Sequence, residues 1–352
     1  MHLRTEGPSL CAVLVRDAVV GARVERLVEQ SVARPRAVAK SVDGVLVVNK
    51  APGWTSHDVV AKLRGLFRGR KVGHAGTLDP AATGVLPILL GKGTRIAEYL
   101  MDWDKEYRAV LRLGETTDTQ DATGTILEAR STAGLTEEAI RSTIGRFQGR
   151  VAQVPPMYSA VKVGGVPLYK AARAGRTVER ESREVTVHGI EVQGIAGRDV
   201  SLSVRCSKGT YIRTLCADIG EALGVGGHLL TLERRRVGPL TIERALTVEE
   251  VEARFPFGHL EDEVISLDAA LAAVPAVIVD EATALRTLHG VPVPWRAAQW
   301  ADNVGVANGR GGQTVRVKDR VGRLLALGRV PQEAGAEIAI LKVLAEVNPQ
   351  PA

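Results

Sequence analysis

The chain has 352 residues, 45% hydrophobic and 24% charged, which is room for two ordinary domains with packed cores. No run approaches the ~18 consecutive apolar residues of a membrane span, and the first residues carry scattered charges where a signal peptide needs an apolar stretch, so a cytoplasmic location is expected. Cys11, Cys206 and Cys216 are dispersed and imply neither a disulfide framework nor a zinc site, while a net charge of +6 is compatible with a polyanionic partner without requiring one.

Residues 1–43 lack turn punctuation or a clear period and read as an N-terminal extension, either a flexible arm or a start codon assigned too far upstream. Order begins at GVLVVNKAPGW, an apolar strand halted by Pro52 and Gly53. TSHDVVAKLRGLF follows as a helix: Thr55 or Ser56 can cap it, and Val59, Leu63 and Phe67 form one apolar stripe. VLPILL is a buried strand, and TRIAEYLM a short helix with Thr94 as its expected cap. In KEYRAVLRLG, Tyr107, Ala109, Leu111 and Leu113 alternate with Arg108, Val110 and Arg112, which is the period of a strand.

TEEAIRSTIGRF is a helix with acids in its first turn, and PLYKAARAG a shorter one stopped by Gly175. EVTVHGIEV and VSLSVRC read as strands, TYIRTLCADIGEALG as a helix ending at Gly224, and HLLTLERRRVG as another strand. This order predicts an α+β fold: a mixed, mainly antiparallel curved sheet with flanking helices around a central cleft. After Leu267 the texture changes to short apolar segments separated by NGRGG and KDRVGR, which predicts a small β-barrel-like unit over 268–352 behind a main domain at 44–267.

Charge is unevenly spread. Lys62, Arg64, Arg68, Arg70 and Lys71 fall within ten residues free of acids. Between Arg146 and Glu184, eight cations (Arg146, Arg150, Lys162, Lys170, Arg173, Arg176, Arg180, Arg183) face only Glu179, Glu181 and Glu184. Either cluster alone suits a solvated face, but two of them flanking one site point to a phosphate backbone. LLGKGT lacks phosphate-loop spacing, GVGGH lacks the dinucleotide pattern, and the seven histidines form no metal-ligand motif, so no cofactor or metal is expected.

What remains is GHAGTLDPAATGVLPI, residues 73–88, with the lone acid Asp79 in a turn-rich setting. A carboxylate can serve as nucleophile or general base without a metal, and a glycine-rich turn makes it reachable. Taken locally, Asp79-Pro80 is also a routine turn signal.

The larger constellation decides between these readings. GHAGTLDPAATGVLPI closely resembles the catalytic loop of the TruB family, the bacterial tRNA pseudouridine-55 synthases. So do VLVVNKAPGWTSHDVV, DKEYRAVLRLGETTDTQDATG, VPPMYSAVKVGGVPLYKAARAG and CSKGTYIRTLCADIG, from Val45 to Val237. The resemblance implies the pseudouridine synthase fold and a C-terminal PUA-like RNA-binding domain. It implies that Asp79 is the catalytic aspartate that attacks a flipped-out uridine in the T loop of tRNA. Tyr107 then matches the tyrosine stacked on the target base, Arg213 the arginine paired with the carboxylate, and Tyr211 a second tyrosine in the pocket wall. His74 matches the histidine holding the flipped RNA loop, and Lys50 a lysine beneath the active-site loop. The basic segment at about 150–183 corresponds to an RNA-clamping insertion. The partner implied is tRNA, bound by a monomer that also aids tRNA folding. A non-catalytic RNA-binding module, a guide-RNA-dependent relative and a nucleoside hydrolase are the competing classes. Asp79, Tyr107 and Arg213 argue against the first, the insertion against the second, and the want of a second acid beside Asp79 in the sequence against the third.

Overall fold

A computed structural model describes residues 43–159, 161–257, 260–301, 311–332 and 336–346, so the extension read for 1–43 lies outside the described residues except for Asp43. Strand β1 (Gly44–Lys50) is buried at nearly every position, as a strand covered on both faces must be. Helix α1 (Ser56–Leu66) starts on a capping box in which the Thr55 hydroxyl accepts from the Asp58 N–H and the Asp58 carboxylate accepts from the Thr55 N–H. Its expected stripe is buried, with Phe67 meeting Phe255 edge-on at 5.1 Å between centroids. Strands β2 (Val72–His74) and β3 (Thr83–Leu90) bracket the Asp79 loop.

The expected cap at Thr94 is incorrect. Residues Gly91–Ile96 form a 3₁₀ turn in which the Thr94 hydroxyl donates back to the Gly91 carbonyl at 2.9 Å. Helix α2 (Ala97–Met101) begins only afterwards, on Ile96, without a side-chain cap. The tight i to i+3 turn takes up the hydroxyl before the α-helix begins.

Strand β4 (Lys105–Leu113) alternates as its sequence predicts, with Tyr107, Ala109, Leu111 and Leu113 buried. Then come the hairpin β5 (Glu115–Thr117) and β6 (Ile126–Ala129), helix α3 (Glu137–Gly145) and strand β7 (Gly149–Gln153). The basic segment holds β8 (Lys162–Val163), β9 (Val166–Pro167) and the short α4 (Leu168–Arg173). Strands β10 (Arg183–Ala196) and β11 (Asp199–Cys206), helix α5 (Ile212–Ala222), and strands β12 (Gly227–Val237) and β13 (Leu240–Thr241) follow.

Nine strands make one sheet in the order β1-β3-β12-β4-β11-β10-β7, with β2 added to β3 and β13 to β12. Every pairing is antiparallel except β3 with β12, which run parallel through Glu233↔Thr83 and Arg234↔Gly84. Bulges in β10 and β12 bend the sheet. Helix α5 packs Ile212, Leu215, Cys216 and Ile219 against β4 and β11, and α1 packs with helix α6 (Val248–Arg254) over β1 and β3. Two core clusters therefore lie side by side, with Leu232 packed against both, and the Asp79 loop is rooted in the second through Leu78 and Ala82.

Helix α7 (Leu267–Ala270) leads into a second sheet, made of β14 (Ala276–Val279), β15 (Val293–Pro294), β16 (Gln299–Trp300), β17 (Thr314–Asp319), β18 (Leu324–Arg329) and β19 (Glu337–Val343). Its order, β15-β19-β18-β17-β14-β16, gives a half-barrel, with helix α8 (Glu281–Leu288) packed beside it. The junction is apolar: Ala270 and Leu271 share one cluster with Val45, Val47 and Leu89 of the first sheet, Leu327 of the second, and Leu344 just past β19. Not every cation of this region is available for phosphate. Arg316 and Lys318 each reach Asp268 at 2.7 Å, and Arg310 lies outside the described residues.

Candidate active site

The loop between β2 and β3 is pinned on both sides of Asp79. On one side, the Ser56 hydroxyl accepts from the Leu78 N–H at 2.9 Å and donates to the Leu78 carbonyl at 3.2 Å. Ser56 is the alternative cap candidate, and this exchange is what occupies it. On the other side, the fully buried Lys50 donates from Nζ to the carbonyls of Ala51 (2.9 Å), Trp54 (2.7 Å) and Pro80 (3.1 Å). The Gly53 N–H adds a further bond to the Pro80 carbonyl at 2.9 Å. Burial pulls the Lys50 ammonium down to about 8, against the attraction of Asp79. Lys50 therefore ties the Ala51–Trp54 turn to the Asp79 loop at Pro80.

Arg213, in the first turn of α5, closes the site from the opposite wall. Its Nε stands 3.0 Å from Asp79 Oδ2, and its Nη1 stands 3.7 Å from Asp121 Oδ2. The same guanidinium donates to the Thr119 carbonyl at 3.2 Å and the Tyr158 carbonyl at 2.7 Å. Its side chain is 5% exposed while that of Asp79 is 41% exposed, so the cation is buried and the carboxylate is presented. Asp79 lines a solvent-open cleft together with Asp121, Ala122, Arg213, Leu229 and Leu232. Even so, the mass of protein around it pushes its carboxyl above the usual range. Arg213 opposes that burial effect, Asp121 adds to it, and Lys50 opposes it. The open side chain and the raised carboxyl are consistent with a group on the floor of a concavity.

Asp121 is the second acid that the sequence reading did not find beside Asp79. Its Oδ1 accepts from the Thr119 hydroxyl and from the Thr123 N–H and hydroxyl, so it too is held in place. The available signal was TTDTQDATG, whose closely spaced Thr and Asp favour side-chain-capped turns.

Tyr107 comes to the site from behind, on β4, and is 9% exposed. Burial drives its phenol up to about 12, opposed by the Arg234 guanidinium beside its hydroxyl. Arg234 is another residue without an assigned role in the sequence reading. It lies opposite Tyr107 in the β12–β4 register and is only 2% exposed. Its Nε donates to the Val85 carbonyl (2.8 Å), Nη2 to that of Gly76 (2.9 Å) and Nη1 to that of Thr77 (3.4 Å). Period-2 counting from Leu232 puts Arg234 on the same face as that residue, which was the available signal.

Tyr211 is the N-cap residue of α5. Its N–H donates to Gln153 Oε1 at 3.1 Å and its carbonyl accepts from Gln153 Nε2 at 3.3 Å. Burial raises its phenol, with the Ser159 hydroxyl acting against that. His74 ends β2, opposite Ile88. Burial lowers its imidazole, with Arg234 and His57 adding to the effect, and its buried Nδ1 has no hydrogen-bond partner among the described residues. The six residues expected from sequence therefore occupy one region, with Asp79 and Arg213 in direct contact and Tyr107 set behind them. Among the described residues, no cluster of His, Cys, Asp or Glu could hold a metal ion. Nor, among the described residues, is any helix long and apolar enough to cross a membrane.

A family model for the TruB family pseudouridylate synthase N-terminal domain matches residues 64–212, and one for the tRNA pseudouridylate synthase B C-terminal domain matches 213–277. The tRNA pseudouridine synthase B of Burkholderia mallei is 43% identical over 299 residues, covering 85% of this chain and 94% of that protein. The protein of the same name from Ectopseudomonas mendocina is 43% identical over 305 residues, covering 86% and 95%. Among solved structures, a Cbf5-Nop10-Gar1 complex is similar at TM-score 0.70 and 29% identity, covering 87% of this chain and 86% of that one. With identity of this extent carried across nearly the whole length of such relatives, the chain belongs to the TruB family of pseudouridylate synthases.

Proposed function

We propose that this protein is a cytoplasmic, monomeric tRNA pseudouridine synthase that acts on uridine-55 in the T loop. The observation that carries the chemistry is the contact between a presented Asp79 and a buried Arg213 at 3.0 Å. In this reading the carboxylate attacks the target nucleoside, the bond from C1′ to N1 breaks, the uracil turns so that its C5 bonds to C1′, and the bond to the carboxylate breaks to release Asp79 unchanged. The C5 hydrogen leaves as a proton and N1 gains one, so the reaction is an isomerisation needing no cofactor. The target base must leave its stack, which costs a few kcal/mol, and stacking on Tyr107 offsets part of it at about 1–3 kcal/mol. Arg213 keeps Asp79 ionised against burial, Tyr211 walls the pocket, His74 supports the displaced RNA loop, and Lys50 fixes the floor.

The first sheet carries the chemistry and the half-barrel supplies phosphate contacts, with Arg286 and Arg320 exposed for that role. The insertion at 150–183 closes on the T arm through its excess of cations, and base flipping there assists folding of the tRNA elbow.

The test uses unmodified tRNA carrying uridine tritiated at C5, incubated with purified protein and nothing else. Rejoining through C5 expels the label, so tritium release with pseudouridine mapped to position 55 is expected. Release only after adding a guide RNA would favour the guide-dependent reading, and no release under either condition would exclude both.

A further inference from the structure

Arg234 is a charge buried in the middle of the main sheet, and among the described residues no carboxylate lies within ion-pair distance of it. An unpaired buried cation is expensive, and a well-packed apolar side chain is commonly the more stable choice at such a place. What the guanidinium provides is a planar fork of donors that Lys lacks. The fork donates to two pieces of chain, Val85 on β3 and the Gly76–Thr77 entry to the Asp79 loop, and Tyr107 stands opposite it on the neighbouring strand, with the guanidinium beside its hydroxyl. The backbone accommodates this arrangement closely. A Cβ on Gly84 would stand 2.2 Å from the Arg234 carbonyl oxygen, and one on Gly76, where φ is +96°, would stand 3.4 Å from Arg234 Nη1. Ser56 and Lys50 hold the loop immediately around Asp79, but neither reaches the entry arm or Tyr107.

We propose that Arg234 is a positioning residue for the reaction, setting the entry arm of the Asp79 loop and the Tyr107 ring in register about one guanidinium. The proposal rests on the roles assigned above to Asp79 and Tyr107. It concerns distances between groups, so a variant that keeps the charge but loses the fork should bind RNA normally and react slowly.

The test is Arg234→Lys, made in the wild-type chain and in a Tyr107→Phe chain. Single-turnover tritium release at saturating tRNA, tRNA Kd and amide exchange of the free protein are measured. In the wild-type chain, Arg234→Lys should slow the single-turnover rate at least tenfold with Kd changed less than twofold. In the Tyr107→Phe chain the same change should cost at least threefold less. Exchange across residues 76–82 should quicken while that of β10 and β11 does not. An equal loss in both backgrounds, a wild-type rate, or exchange quickened evenly over the sheet would each overturn the proposal. Should Arg234→Lys fail to fold, Tyr107→Phe alone decides: a slower rate with unchanged Kd supports it, and a wild-type rate overturns it. Absence of turnover by the wild-type protein would instead remove the assigned activity, and the exchange pattern would still judge Arg234.

Discussion

Arg213 and Arg234 are both buried arginines, and they reach the same loop from opposite sides. Arg213 faces two carboxylates and the open cleft, whereas Arg234 faces backbone carbonyls and a phenol inside the sheet. The first is an electrostatic partner whose effect depends on the charge of Asp79. The second acts through geometry and gives Asp79 no ion pair. One residue type thus serves two purposes because a guanidinium carries a charge and a rigid fork together, and the surroundings decide which is used.

The largest expected effect tests the charge side of this contrast. Asp79→Asn should reduce tritium release to background while tRNA binding stays near wild type, since the amide keeps the shape but is not a nucleophile. The same variant should melt higher than wild type at neutral pH. Burial raises the folded-state pKa of Asp79, so the folded chain holds that proton more tightly than the unfolded chain. The associated stability is complete below the unfolded pKa, near 4, and is lost as pH rises through the higher folded value. The melting advantage should therefore vanish on acidification, and an advantage unchanged down to pH 3 would contradict the burial argument.

Next in size is Tyr107→Leu, which removes the stacking surface. At about 1–3 kcal/mol this is roughly a 5- to 150-fold loss in single-turnover rate. Normal melting and normal tRNA affinity would identify a ring that serves the reaction, whereas poor folding would identify a core residue.

Arg213→Met separates the two arginines by pH. Without the cation, burial and Asp121 act on Asp79 with only Lys50 opposed to them, so its pKa rises further. We expect about a tenfold loss at neutral pH that deepens as pH falls. Arg234→Lys should instead lower the rate by one factor at every pH. Parallel pH profiles for the two variants would erase the distinction.

Ser56→Ala should have the smallest effect. It removes both bonds to Leu78, worth about 1 kcal/mol together, for a rate loss of a few-fold at constant Kd. A wild-type rate would mean that Lys50 alone fixes the loop.

The strands and helices of the main sheet were readable because their periods are clean, as in the alternation of β4 and the stripe on α1. Thr94 was misread because a short 3₁₀ turn has no distinct pattern of its own. Asp79 and Arg213 were found through the family resemblance, since local chemistry alone left Asp79 as a turn residue. Asp121 and Arg234 escaped for a different reason. Each takes its meaning from a partner far away in the chain, Asp121 from Arg213 and Arg234 from Gly76, and no local pattern encodes such a meeting. The bulges in β12 further blurred which of its three successive arginines turns inward.

The apolar junction also bears on how the chain comes to be folded during synthesis. Val45 stands at the start of β1, yet it bridges to Ile265 and shares a cluster with Leu327 and Leu344. Its packing cannot be completed until nearly the whole chain has left the ribosome. At about 5–20 residues per second, the first strand waits some 15–60 seconds for the last residues that cover it. During that interval β1 and β3 present an uncovered apolar face, which is where chaperone contact or misassociation of the nascent protein should concentrate.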